Sequence, residues 1–137
     1  MDFYSNSCAT EPAVRTLLEE NFNFPNTFTR PQLNIIFQFV LKAASQICGK
    51  SLRDVILYGS YARGDFQEWS DIDIMILAAV SDAKCKQFNR QINESLTELI
   101  HHTNLLLSIN VTPYSRFVYM KDVYPFYSNI ANEGVRL

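Results

Sequence analysis

The sequence predicts an α/β (α+β) domain, a small mixed β-sheet flanked by helices. A stretch with helical apolar spacing ends at Gly49. Two apolar runs of strand length follow it. A second helical stretch then leads into a third such run. The order helix, strand, strand, helix, strand, helix sets three strands among helices.

Residues 1–29 read as an N-terminal arm ahead of a domain over residues 30–137. Thr10-Glu11-Pro12 suits the start of a short helix, with Leu17 and Leu18 as its apolar contacts. NFNFPNTF then spreads Phe22, Phe24 and Phe28 among Asn and Pro. The arm is expected to pack on its own domain, with docking to a second chain as the alternative.

Residues 30–48 form the clearest helix. Leu33, Ile36, Phe37, Val40, Leu41, Ala44, Ile47 and Cys48 recur at i, i+3, i+4 and i+7. Pro31 suits its first turn and Gly49 its C-terminal stop. LRDVILY (52–58) reads as a strand ending at Gly59, and Ser60 to Gly64 as a short helix start. Asp71 to Ala78 reads as a second strand. It is almost wholly apolar after Asp73, so burial on both faces is expected. Ser81 caps a helix over 82–102, with Cys85, Phe88, Ile92, Leu96 and Leu99 along one side. Asn104 to Thr112 is the third strand, stopped by Pro113. Short helical pieces around Ser115–Met120 and Pro125–Ala131 precede EGVRL.

The chain has 137 residues, 47% of them hydrophobic and 19% charged, enough for one core. Its net charge of −2 disfavours a general nucleic-acid binder, which usually carries a basic surplus. Cys8, Cys48 and Cys85 are odd in number and form no C-x-x-C or Cys/His cluster. Reduced thiols follow, with neither a disulfide framework nor a structural zinc site. Cys48 and Cys85 fall on apolar helix faces. The N-terminus lacks the pattern of a signal peptide, and the longest apolar run, Ile74 to Val80, is too short to span a bilayer. A soluble, cytoplasmic protein is expected.

The chemistry concentrates in YGSYARGDFQEWSDIDIMIL (58–77). Alternate strand residues share a face, so Asp71 and Asp73 lie side by side. Unpaired, they repel, and one is pushed towards its neutral form. A divalent cation resolves the conflict. Hard oxygen ligands suit Mg²⁺ or Mn²⁺, commonly held by one or two carboxylates plus substrate phosphates. Gly59-Ser60 supplies the complement. Gly lets backbone N–H groups approach a ligand, and a helix starting there turns free N–H groups toward an anion. Ser60 adds a hydroxyl, and Arg63 can add charge-assisted bonds to phosphate. At average composition the joint pattern G-S-x10-D-x-D arises on the order of once in a few hundred chains this long. Its strand–turn–helix–strand context narrows it further, to a site for a metal–nucleoside triphosphate.

GSYARG followed by SDIDIMIL resembles the DNA polymerase β-type nucleotidyltransferase superfamily, and within it the small, stand-alone minimal nucleotidyltransferases of prokaryotes. The resemblance spans roughly residues 30–137 and includes the helix ahead of VILYGSYARG and the closing FYSNIANEGVRL. It implies a polymerase β-like fold, Ser60 on the triphosphate, and Asp71 and Asp73 on two Mg²⁺ ions. It also implies transfer of a nucleoside monophosphate, AMP from ATP by family habit, to an acceptor hydroxyl with release of pyrophosphate. Stand-alone members often pair with a HEPN-domain protein as the antitoxin of a toxin–antitoxin module. A homodimer and a hetero-oligomer both stay open, as does, more weakly, transfer to an antibiotic or other small molecule.

The family normally supplies a third Asp from the strand after the second helix. Here that strand reads NLLLSINVTPY, and the position falls at Ser108, with Asn110 on the same face as the other candidate. Neither is charged. Nucleotide binding is expected to survive better than catalysis, unless Glu68 or a water shell stands in.

Other residues carry less. His101 and His102 do not share a helix face, so they suit a helix C-terminus better than a paired metal site. Trp69 reads as packing, with stacking on a base as the alternative. Asp65 and Glu68 read as solvated. Tyr114, Tyr119, Tyr124 and Tyr127 show no platform spacing and read as core or partner surface.

Overall fold

The computed structural model describes residues 27–137. Helix α1 (Arg30–Cys48) leads through a 3₁₀ turn (Gly49–Ser51) into β1 (Leu52–Tyr58). The one-turn helix α2 (Ser60–Arg63) and a loop precede β2 (Ile72–Ala78). Helices α3 (Asp82–Ser95) and α4 (Thr97–Thr103) carry the chain to β3 (Leu107–Pro113). Helices α5 (Tyr114–Met120) and α6 (Pro125–Glu133) and the two-residue strand β4 (Val135–Arg136) complete it.

The sheet is mixed, in the order β3-β2-β1-β4. β1 and β2 run antiparallel. β2 and β3 run parallel, which requires the helical crossover through α3 and α4. β1 begins with a bulge between Leu52 and Asp54.

Alternation along the strands divides the core in two. Val55, Leu57, Ile72, Ile74, Ile76, Ile109 and Val111 face α1, α3 and α4 in the larger cluster. Ile56, Met75 and Leu77 face the other way, under Phe117 of α5 and Ile130 of α6. Central β2 is therefore covered on both sides, which accounts for its nearly continuous apolar run.

α1 starts at a capping box. Thr29 Oγ1 accepts from the Gln32 N–H at 3.4 Å, and Gln32 Oε1 accepts from the Thr29 N–H at 2.8 Å. Phe28 is buried and tilts against the Tyr61 ring. Phe22, Phe24, the helix expected near Pro12, and Cys8 lie outside the described residues. Cys48 and Cys85 are free and buried, as their apolar faces implied. Burial pushes the Cys48 thiol up to about 11 and that of Cys85 in the same direction, so both stay protonated at neutral pH.

The single helix expected over 82–102 is two. Ser95 Oγ donates to the Ile92 carbonyl at 2.8 Å, and Thr97 Oγ1 to the Asn93 carbonyl at 3.1 Å. Such local bonds compete with the helical ladder, and the chain breaks at Leu96. The apolar phase runs through the break, because Leu96 and Leu99 stay buried. β3 starts at Leu107, not Asn104, since Asn104 closes α4 in the left-handed region at φ +53°. β4 is a fourth strand that the sequence pattern does not signal. It pairs Val135 and Arg136 with Leu57 and Ile56, and Arg136 Nε reaches Asp54 Oδ2 at 2.9 Å. Among the described residues no helix is long and apolar enough to cross a membrane.

Ile76 sits in the middle of β2 with no exposed surface. Ile76→Ala is expected to lower the unfolding free energy by about 2–5 kcal/mol, measured by urea denaturation. A loss under ~1 kcal/mol would contradict a tightly packed central strand.

Candidate active site

The antiparallel register puts the end of β1 beside the start of β2, with Tyr58 paired to Asp73. The parallel register puts Asp73 beside Ser108. Tyr58, Asp73 and Ser108 thus form one row across three strands, all on the face of the smaller core. Asp71 lies just ahead of β2 on the same alternation and is exposed. The short helices α5 and α6 cover Met75 and Leu77 further along β2. Asp73 is only half-buried and Ser108 is exposed, so this end of the face stays open.

Gly59 makes the junction work. Its backbone (φ +75°, ψ −156°) lies in a region almost reserved for Gly. A Cβ built there would collide with Asp73 Oδ2. The missing side chain is what lets the carboxylate lie against the backbone. The Gly59 carbonyl accepts from the N–H groups of Ala62 and Arg63, each at 3.1 Å, and so turns the chain into α2. Tyr61 is buried and stacks on Phe66 with centroids 4.3 Å apart, which pins the turn to the core. α2 is one turn long, so it offers little dipole. What it presents is the local N–H groups and the Ser60 hydroxyl.

Arg63 leaves α2 near two acids. Its Nε lies 3.2 Å from Asp65 Oδ2 and its guanidinium 3.8 Å from Glu133 Oε2. Asp65, expected to be solvated, is exposed and also pairs with Arg63. Burial raises the Asp73 carboxyl above its ordinary range, the Asp71 charge raises it further, and the Arg63 charge opposes both. Burial and the same Asp73 charge also raise the Tyr58 phenol.

These residues fit a cation that arrives with phosphates. Asp71 and Asp73 supply hard oxygens whose mutual repulsion a cation relieves, and Gly59 leaves a gap in which Asp73 meets backbone. They do not make a protein-only cage. Among the described residues no group of three or more His, Cys, Asp or Glu side chains is placed to hold a metal. Glu68 does not complete one. Asn110 Oδ1 is taken by the Thr112 hydroxyl at 2.9 Å. His102 reaches Glu98 at 3.8 Å within α4.

Two cavities flank the row. On the β3 side, about 480 Å³ is lined by Lys86, Asn89, Ser108, Asn110, Arg116 and Tyr127 among others. Asn89 Oδ1 accepts from the Val111 N–H at 3.1 Å and covers part of this sheet edge. Arg116 bonds Asp82 at 2.9 Å, and Lys86 approaches the same carboxylate at 3.4 Å. On the β1 side, about 200 Å³ lies between Gly59 and α6. The sequence pattern points to Gly59, Arg63, Ser108 and Asn110 among these residues and reads Tyr127 as core or partner surface. It does not signal Lys86, Asn89, Arg116, Phe126, Asn129 or Glu133, which are scattered over three helices. Trp69, read as packing, is 53% exposed at φ +65°, and so is not a core residue.

A nucleotidyltransferase domain family model matches residues 40–132, more than half the chain. The chain belongs to the nucleotidyltransferase domain family. Among curated proteins it is 31% identical over 81 residues to MJ1305, a candidate protein adenylyltransferase of Methanocaldococcus jannaschii, covering 59% of this chain and 52% of that protein. It is 51% identical over 45 residues to MJ0141, a second candidate protein adenylyltransferase of that organism, covering 33% of this chain and 44% of the relative. The chain thus spans about half the length of the curated relatives it matches. A solved structure of a candidate minimal nucleotidyltransferase is 15% identical, with TM-score 0.49, covering 82% of this chain and 100% of that one. A toxin–antitoxin crystal structure with AMP-PNP is 17% identical, with TM-score 0.46, covering 72% and 69%. The family assignment rests on the family match.

Two predictions follow from the Gly59–Asp73 contact. Gly59→Ala is expected to destabilise the fold by more than Gly64→Ala. Gly64 is also left-handed, at φ +84°, but has open space at its Cβ, so its substitution costs about 1–2 kcal/mol from the backbone alone. Equal losses in urea denaturation would mean that the Asp73 contact is unimportant. The second concerns pH. With the folded Asp73 carboxyl raised above 3.8, the folded state binds more protons in that window, and stability falls as pH rises through it. In EDTA at neutral pH, Asp73→Asn is therefore expected to melt at a higher temperature than wild type, with the gap closing as pH falls to 3.8. A variant that melts lower at pH 7 would contradict the charge conflict.

Proposed function

We propose that this chain binds a nucleoside triphosphate with Mg²⁺ or Mn²⁺ at Gly59, Ser60, Arg63, Asp71 and Asp73. It transfers the nucleoside monophosphate to an acceptor hydroxyl on a partner protein. The observation that carries the reading is the contact between the Gly59 backbone and the Asp73 carboxylate, which joins a phosphate-accepting turn to a pair of hard oxygen ligands. ATP as donor and a protein as acceptor are supported by the names of the M. jannaschii relatives, candidate protein adenylyltransferases.

The N–H groups around Ser60 and its hydroxyl hold the triphosphate, and Arg63 exchanges carboxylate partners for phosphate oxygens. Asp71 and Asp73 hold the cation, which, when bound, neutralises phosphate charge and lowers the pKa of an oxygen it holds. The acceptor approaches from the β3 side. Its oxygen forms a bond to the α-phosphorus, the bond from that phosphorus to the bridging oxygen breaks, and pyrophosphate leaves. The hydroxyl proton passes to solvent, and Ser108 supplies no carboxylate to help hold a second cation beside the attacking oxygen.

Ser108 also favours a second reading. With a neutral group beside Asp73, the chain would bind nucleotide yet transfer it poorly. It would act as a nucleotide-binding antitoxin holding a HEPN-type partner. Nucleotide transfer onto a purified partner supports the first reading, and tight binding without modification supports the second.

Two measurements test the site. Asp71→Asn/Asp73→Asn is expected to abolish Mg²⁺-dependent ATP binding in calorimetry, and unchanged affinity would remove the metal reading. Ser108→Asp is expected to raise the rate of pyrophosphate release at least ten-fold over wild type in Mg²⁺. Equal rates would show that a third carboxylate is not what limits turnover.

A further inference from the structure

Helix α6 turns four residues toward the β1-side cavity, Phe126, Asn129, Ile130 and Glu133. Their i, i+3, i+4, i+7 spacing is that of one helix face. A face that served only the core would be apolar throughout. Here only Ile130 is buried, while Phe126 remains 48% exposed and Asn129 and Glu133 are exposed. Phe126 meets Tyr58 edge-on, with centroids 6.0 Å apart and planes at 89°. This contact fixes the ring and leaves part of its surface uncovered.

The cavity is continuous with the phosphate-holding turn, because Gly59 and Arg63 line it too. At about 200 Å³ it falls below the roughly 300–1,000 Å³ of sites that enclose a whole drug-sized ligand. It therefore suits one ring system. Its floor of Ile130 and Tyr58 is a poor place for a phosphate, and the Glu133 carboxylate offsets the Arg63 charge at its edge. A flat, neutral, aromatic group with hydrogen-bonding edges matches it better. Phe126 offers a stacking surface, and the Asn129 amide offers one donor and one acceptor to such an edge.

We propose that this cavity is the nucleobase subsite, in which a purine stacks on Phe126 and is read along one edge by Asn129. The inference rests on the reading of Gly59–Ser60 as the triphosphate site and adds where the rest of the nucleotide goes. Phe126 and Asn129 bind the base. They touch neither the cation nor the transferring phosphorus.

Tripolyphosphate with Mg²⁺ separates the two readings, since it has the phosphates and no base. Calorimetry on the full chain would compare MgATP and Mg-tripolyphosphate for wild type, Phe126→Ala, Phe126→Trp, Asn129→Leu and Trp69→Ala. Wild type is expected to bind MgATP more tightly than tripolyphosphate. Phe126→Ala should weaken MgATP roughly ten-fold or more, the weight of one base–aromatic stack, and leave tripolyphosphate unchanged. Phe126→Trp should retain ATP affinity. Asn129→Leu, an exposed position with little bearing on folding, should weaken MgATP several-fold and not tripolyphosphate. Equal wild-type affinities for the two ligands would overturn the subsite while leaving the triphosphate site standing. The same holds if Trp69→Ala removes the ATP advantage while Phe126→Ala and Asn129→Leu keep it. A wild type that binds neither ligand would overturn both readings.

Discussion

The register of β1 against β2 is the constraint on which the rest depends. Pairing Tyr58 with Asp73 puts Gly59 where the Asp73 carboxylate presses against its backbone. A slip of one residue would turn Asp73 into the larger core and Ile74 out of it. The register is held from both sides by burial, because Ile72, Ile74 and Ile76 face one cluster and Met75 and Leu77 the other. The site's geometry is thus enforced by apolar packing further along the same strand. The carboxylates do not have to stabilise the arrangement that brings them together.

They do the opposite. Asp73 is half-buried, and burial first, then the Asp71 charge, raise its carboxyl in the folded chain. Arg63 opposes both effects, but Arg63 is shared with Asp65 and Glu133. Local instability of this kind is common where a protein awaits a charged ligand. Here a cation would answer the acids and phosphate oxygens would answer Arg63, so a metal–triphosphate resolves both sides at once. Neither ion alone does so.

Much of this was legible in the sequence because it was written in local patterns. The helix over 30–48, the strand 52–58 and the doubly buried strand after Asp71 each had the period that burial on one or both faces demands. Gly59, Ser60, Arg63, Asp71 and Asp73 were readable as a cluster because only a one-turn helix and a loop separate Gly59 from Asp71. The break at Leu96 was hidden, since the apolar phase continues across it and only hydroxyl-to-carbonyl bonds at Ser95 and Thr97 mark it. β4 was hidden because two exposed residues carry no period. The cavity linings were hidden for a different reason. Lys86, Asn89 and Arg116 come from α3 and α5, and only the tertiary packing brings them to Ser108.

That last grouping bears on what kind of acceptor the β3 side admits. A third carboxylate beside Asp73 would make this side a second cation site. The chain places a neutral hydroxyl there instead, and its surroundings agree with the substitution. Lys86 and Arg116 both converge on Asp82, leaving two positive charges against one negative along the cavity. A surplus of positive charge repels a second divalent cation and favours a group that is neutral or negative as it approaches. Ser108 is therefore not an isolated loss within an otherwise metal-binding wall. The surplus weakens the hold on a second ion at this wall, and a carboxylate at position 108, beside Asp73, would offset it. Under the proposed function, the attacking oxygen would draw its help from a cation held at Asp71 and Asp73, with Lys86 and Arg116 adding positive charge along the cavity.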